Sequence, residues 1–187
     1  VIPVAELSFT LPITAHVGDK VGVSVSGRYL DGLPITWTAA KDGNEINLSD
    51  YITGELSDNG GTIQFAIPGT YTLTASATDE LGRSYTETNS TTVYPVGAVG
   101  FFLPSFFHTD DTVLVEASIM GLAGNPLTWS ITRNGESVEL SEYVVGALTE
   151  TGGTIQVTAK GEYVLSAAFT DEAGKTYCYE QSFKVYP

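Results

Sequence analysis

Two histidine–aspartate pairs are the first residues whose types and spacing invite a chemical reading. His16 precedes Asp19 by three residues, and His108 precedes Asp111 by the same interval. A histidine beside a carboxylate can serve acid–base chemistry. No Ser in a G-x-S-x-G setting accompanies either pair. An active site duplicated at identical spacing would be unusual, so the pairs read as loop hydrogen bonds. Asp79-Glu80 and Asp171-Glu172 raise the question of calcium. A calcium site takes about 6–8 oxygen ligands, usually from several acidic positions. One Asp-Glu pair in each half falls short of that and reads as a turn. The sequence therefore assigns no catalytic residue, no metal site and no cofactor.

The charge balance narrows the partners. The chain has 187 residues, with Lys+Arg 8 against Asp+Glu 22 and a net charge of -14. Nucleic-acid binding needs a basic footprint, which is missing. An anionic membrane surface would repel the chain. The longest apolar run, Val96 to Leu103, stops at Pro104. It is far shorter than the roughly 18–20 residues of a transmembrane helix, and reads as a linker entering a strand. A single cysteine, Cys178, leaves no intrachain disulfide. The 42% hydrophobic content must hold the fold by core burial alone.

The elements that position these residues come in duplicate. Shifting the chain by 92 residues aligns it with itself without a gap. Pro34-Ile35-Thr36-Trp37 meets Pro126-Leu127-Thr128-Trp129, and Gly60-Gly61-Thr62-Ile63-Gln64 recurs unchanged as Gly152-Gly153-Thr154-Ile155-Gln156. About 40% of aligned positions are identical, which marks a true internal repeat. Val1-Ile2-Pro3 aligns with Val93-Tyr94-Pro95, which closes the first copy. The expected organisation is residues 1–3 as the tail of a preceding repeat, 4–95 as repeat one and 96–187 as repeat two. Each repeat carries a net charge of -7. The linker Pro95 to Gly100 lacks Ser-rich or charged character and predicts a semi-rigid junction.

Nothing in the chain reads as a helix. Alternating apolar and polar residues, with Gly/Asp/Asn clusters every 8–12 residues or so, describe an all-β sandwich. Tyr71-Thr72-Leu73-Thr74-Ala75-Ser76-Ala77 is the clearest strand, with Tyr71, Leu73, Ala75 and Ala77 facing inward. Its counterparts are Tyr163, Leu165, Ala167 and Phe169. Asp79 to Gly82 makes a tight turn, a last strand runs from about Arg83 to Val93, and a hairpin is expected at Ser57 to Gly61. Val21, Val23 and Val25 alternate on an early strand, and Trp37 follows on the next. Gly69-Thr70-Tyr71-Thr72-Leu73 has the form of a tyrosine corner. Together these features place both repeats in the immunoglobulin-like group: two tandem immunoglobulin-like β-sandwich domains. Val23 and Leu73 take the places of the two core cysteines, with Val115 and Leu165 in copy two, and Trp37 and Trp129 inside the core. Losing the disulfide forgoes about 2–4 kcal/mol. Burying a Val and a Leu returns about 1.5–3 kcal/mol each.

With the Gly-x-Tyr-x-Leu-x-Ala strand, the Asp-Glu-x-Gly turn and the terminal Val-Tyr-Pro in both halves, the chain resembles the tandem bacterial immunoglobulin-like repeats of large cell-surface proteins. It departs from polycystic-kidney-disease domains, whose Trp-x-Phe-Gly-Asp-Gly stretch is replaced by Trp37-Thr38-Ala39-Ala40, and from cadherins, whose calcium motifs are missing. The resemblance implies an extracellular, non-enzymatic structural or adhesive module acting as spacer or stalk, with neighbouring repeats of the same chain as its contacts. Alternatives are a recognition module that binds a host or cell-surface protein through a loop or sheet face, and the carbohydrate-binding accessory domain of a secreted glycosidase. Some modules of this shape carry a Lys–Asn isopeptide bond. Lys20 and Asn89 are conceivable partners, whereas copy two has Thr112 and Gln181.

Differences between the copies are where recognition would be written. Before Trp37, copy one has Arg28-Tyr29-Leu30-Asp31-Gly32, where copy two has Met120-Gly121-Leu122-Ala123-Gly124. Phe102, Phe106 and Phe107 replace Thr10, Thr14 and Ala15. Tyr29, Leu30, Phe106 and Phe107 are thus the candidate binding residues, with packing between modules as the plainer reading of the phenylalanines.

Overall fold

The computed structural model describes residues 3–121 and 126–187. Leu122, Ala123 and Gly124 of the second copy's loop lie outside the described residues, as do Val1 and Ile2. The chain divides into two compact units, Val1–Val96 and Gly97–Pro187.

The first unit contains β1 (Glu6–Thr10), β2 (Thr14–His16), β3 (Val21–Arg28), β4 (Thr36–Lys41), β5 (Asn44–Ile46), β6 (Ile52–Thr53), β7 (Gly60–Phe65), β8 (Gly69–Thr78) and β9 (Ser84–Tyr94). They form two facing sheets, ordered β1-β3-β7-β6 and β2-β9-β8-β4-β5. The second unit repeats the plan with β10 (Ala98–Phe102), β11 (Phe106–His108), β12 (Val113–Met120), β13 (Thr128–Arg133), β14 (Glu136–Val138), β15 (Val144–Gly146), β16 (Gly152–Val157), β17 (Gly161–Thr170) and β18 (Thr176–Tyr186). Its sheets are β10-β12-β16-β15 and β11-β18-β17-β13-β14. This is an all-β chain of two tandem immunoglobulin-like sandwiches.

The first strand of each unit changes sheet midway. β1 pairs antiparallel with β3, and three residues later β2 pairs parallel with β9. Pro12 sits at the crossing, where its missing N–H removes it from either ladder. Asn89 stitches the departing strand to the other sheet, its amide donating to the Phe9 carbonyl at 2.7 Å. Gln181 does the same in the second unit, donating to the Leu103 carbonyl at 2.6 Å and accepting from its N–H at 3.3 Å. Asn89 is therefore engaged as a clip between sheets, and Lys20 is exposed.

Alternation fills each core. Tyr71, Leu73, Ala75 and Ala77 are buried, as are Tyr163, Leu165, Ala167 and Phe169. Val23 and Leu73 share one core, and Val115 and Leu165 the other. Both tyrosine corners form: Tyr71 Oη donates to the Ile67 carbonyl and Tyr163 Oη to the Ala159 carbonyl, each at 2.7 Å. Two expectations need correction. Trp37 and Trp129 are half-buried at the core margin, where their indole N–H groups donate to the Ser57 and Thr149 carbonyls at 3.0 and 3.1 Å. That bond draws the polar edge of each ring outward. Each copy also contains one helical turn, a 3-10 turn at Leu48–Asp50 and α1 at Leu140–Tyr143. Leu48 and Leu140 pack from these turns onto the cores.

Candidate functional site

The histidine pairs prove to be backbone fasteners. The His16 N–H donates to Asp19 Oδ2 at 2.8 Å, and the Asp19 N–H returns a bond to the His16 carbonyl at 3.0 Å. His108 and Asp111 repeat this at 2.8 and 3.1 Å. The carboxylate thus closes the turn that follows β2 or β11, as the loop reading expects.

Asp79 is spent in the same way. It accepts the N–H groups of Leu81 and Arg83 at 2.9 Å, Arg83 Nε at 2.6 Å and Tyr85 Oη at 3.0 Å. Burial alone would raise its pKa, but the bonds from Arg83, Tyr85 and Leu81 outweigh that and hold it below the ordinary carboxylate value. The carboxylate organises the β8–β9 turn, where Gly82 takes a φ of +76°. Asp171 binds the Lys175 N–H at 2.8 Å in the equivalent turn. Among the described residues, no group of three or more His, Cys, Asp and Glu side chains is placed to hold a metal. No helix among them is long and apolar enough to cross a membrane.

The four candidate binding residues separate into three situations. Tyr29 follows β3 with a φ of +57° and is 62% exposed. It borders a cleft of about 200 Å³ shared with Pro3, Leu33 and Leu81. Leu30 beside it, which aligns with the identical Leu122 and so does not distinguish the copies, is half-buried, its carbonyl accepting the Leu33 N–H at 2.9 Å. Phe106 is 67% exposed on β11. Phe107 is a correction: it is only 5% exposed, stacked on Phe183 at 5.3 Å, and is a core residue. The two phenylalanines point to opposite faces because side chains alternate along a strand. A partner can reach only the first.

Strand register also separates Tyr29 from Phe106. Arg28, just before Tyr29, lies opposite Glu6 at the start of β1. Phe106 lies opposite Lys184, near the end of β18. In the common module frame, Tyr29 belongs to the end where the chain comes in and Phe106 to the end where it leaves.

Two further apolar residues border the same hollow as Phe106. Phe102, which the comparison of the copies singled out without counting it among the candidates, is 64% exposed, and Leu114, which that comparison missed, is 55% exposed. The signal was available in the alignment, since Leu114 stands where copy one has Gly22.

No protein-family model and no curated protein matches the chain. Solved structures do. Hemolin, an insect immune protein whose domain arrangement was described with implications for homophilic adhesion, superimposes with a TM-score of 0.54 at 16% identity, covering 95% of this chain and 44% of its own. Extracellular domains 3–5 of Drosophila OTK give a TM-score of 0.57 at 18% identity, covering 96% and 61%. Immunoglobulin domains 1–4 of Sidekick-1 give 0.56 at 12%, covering 97% and 48%. The chain spans roughly half the length of these structures. At such identities the likeness speaks for the fold: a tandem pair of immunoglobulin-like domains.

Proposed function

We propose that the chain is a non-enzymatic structural module of a repetitive bacterial surface protein, working outside the cell as a spacer or stalk. The organisation expected from sequence, repeats at 4–95 and 96–187, belongs to the proposal. The observation that carries it is where the repeated polar residues go. Asp19, Asp79, Gln64 and their counterparts all fasten backbone within their own module, so these shared polar residues, among those described, serve the sandwich itself. Stretching the chain end to end should then give two separate unfolding events of near-equal length, about 300 Å each for 92 residues at roughly 3.3–3.6 Å per residue. One merged event, or extension without resistance, would overturn the stalk reading.

A second reading, recognition of a host or cell-surface protein, is favoured by Phe102, Phe106 and Leu114 on copy two and by Tyr29 on copy one. It is compatible with the first, since a stalk module can carry a contact of its own. The carbohydrate-binding reading gains nothing from the tryptophans. Trp37 packs edge-on against Phe9 at 5.1 Å with its N–H already bonded.

A further inference from the structure

Copy two displays an apolar patch that copy one lacks on the same scaffold. Phe102, Phe106 and Leu114 border a hollow of about 510 Å³, together with Pro104, Asp111 and Glu116. Copy one places Thr10, Thr14 and Gly22 at the three apolar positions, and Ser24 where copy two has Glu116. The backbone is equivalent, with Phe102 opposite Glu116 across β10–β12 as Thr10 is opposite Ser24 across β1–β3. The fold does not dictate the change. A Cβ added at Gly22 would meet nothing within 4 Å, so either residue suits that position. The core beneath is already filled by Phe101, Leu103, Phe107, Val113 and Val115. Single exposed apolar residues are ordinary, but a contiguous cluster with a polar rim marks an interaction surface.

Charge selects the occupant. Asp111 and Glu116 rim the hollow, and no Lys or Arg is among its described lining residues; Lys184, opposite Phe106 on β18, is paired with Glu162 at 3.4 Å. Asp111 is fixed there by the His108 N–H while its side chain stays 52% exposed. A second copy of this chain would bring a net charge of -14 to an acidic rim. We propose that the patch is a docking surface for a protein segment with an aromatic or aliphatic centre flanked by Lys or Arg. This deepens the recognition reading and rests on it, independently of the stalk reading. The apolar residues supply contact area, and the rim sets orientation and disfavours acidic partners.

The test uses the full isotope-labelled chain and two synthetic peptides, each with a Leu-Phe-Leu centre, one flanked by lysines and its twin by glutamates. The lysine peptide should shift the amide resonances of β10, β12 and the segment between them, and leave β1 and β3 unmoved. Affinity should fall about tenfold or more as salt is raised to screen the rim. Phe102→Thr with Phe106→Thr should abolish the shifts at unchanged melting temperature, since both side chains are exposed. Grafting Thr10→Phe, Thr14→Phe, Gly22→Leu and Ser24→Glu onto copy one should create a second site. Equal binding of the glutamate peptide at the patch would overturn the charge assignment while recognition stood. Self-association through the patch, shifts spread over both copies, or no shifts up to about 1 mM peptide (about 4 kcal/mol of binding) would overturn the docking surface. The last of these would also remove recognition on this face.

Discussion

Tyr71→Phe deletes one oxygen from the centre of copy one and leaves the ring in place. Tyr71 is 0% exposed, and its ring packs against Phe65 at 4.5 Å and Tyr51 at 6.3 Å. The substitution keeps those contacts and removes the 2.7 Å bond to the Ile67 carbonyl. An average hydrogen bond contributes about 0.5–1.5 kcal/mol net, and stranding a buried partner costs about 1–3 kcal/mol. The bond is partly buried, so the loss should be about 2 kcal/mol. With a urea m-value near the low end of about 1–3 kcal/mol/M for so small a module, the midpoint falls by roughly 1–2 M. Trp37 fluorescence in a Trp129→Phe background reports copy one alone. Tyr163→Phe should behave alike when Trp129 is the reporter and Trp37 is replaced. Tyr29→Phe, which trims an exposed hydroxyl, should change stability by less than about 0.5 kcal/mol. A midpoint shift below about 0.3 M for Tyr71→Phe, or an equal shift for Tyr29→Phe, would refute the assignment of the corner as a stabilising device.

Four further outcomes follow from the same geometry. Burial raises the pKa of Tyr71 and Tyr163 above 10. The unfolded phenols therefore lose protons first, and stability should fall as pH rises past about 10, less steeply in the two Phe variants, as followed by urea midpoint against pH. Asp79 has a lowered pKa, so its contribution is full above the unfolded value and is lost as pH falls below about 4. Asp79→Asn should flatten that acid limb in the same titration. Gly60→Ala should cost well over about 1 kcal/mol in denaturation, because φ is +93° and the new Cβ would strike the Val23 carbonyl, whereas Gly22→Ala should stay within about 0.5 kcal/mol. Phe107→Ala should cost about 3–5 kcal/mol, against less than about 0.5 kcal/mol for Phe106→Ala.

Signals carried by short-range chemistry were the legible ones. The inward face of β8, the Asp79–Gly82 turn and the tyrosine corner each rest on residues within a few positions of one another. One such signal went unread. Asp42-Gly43 and Asn134-Gly135 close two-residue hairpins with positive φ at both positions, a pattern that Asp-Gly and Asn-Gly announce directly. The helical turns were not readable, because three or four residues cannot display a helical period. The Asn89 and Gln181 clips span 80 and 78 residues of sequence, and no local pattern reports a contact of that kind. Phe107 was misassigned by comparing residue types between the copies without comparing faces. Its counterpart Ala15 is buried too, so Ala15 and Phe107 are two ways of filling one core position.

The best-preserved stretch of the repeat is also the one with least room for function. Gly60 and Gly152 take φ of +93° and +92°, and a Cβ at either would collide with the Val23 or Val115 carbonyl. A Cβ on Gly61 or Gly153 would strike the Glu55 or Ala147 carbonyl. Ile63 and Ile155 are sealed in the cores. The Gln64 and Gln156 amides donate to the Gly18 and Thr109 carbonyls at 2.8 and 3.1 Å. Four of the five shared residues in each copy thus have a structural task that accounts for them. Identity between the copies measures the demands of the sandwich, and a surface that differs without structural cause is the better guide to recognition. Gly22 and Leu114 are such a pair. The backbone accepts either, the core needs neither, and only in copy two does the larger residue join two exposed phenylalanines beside an acidic rim.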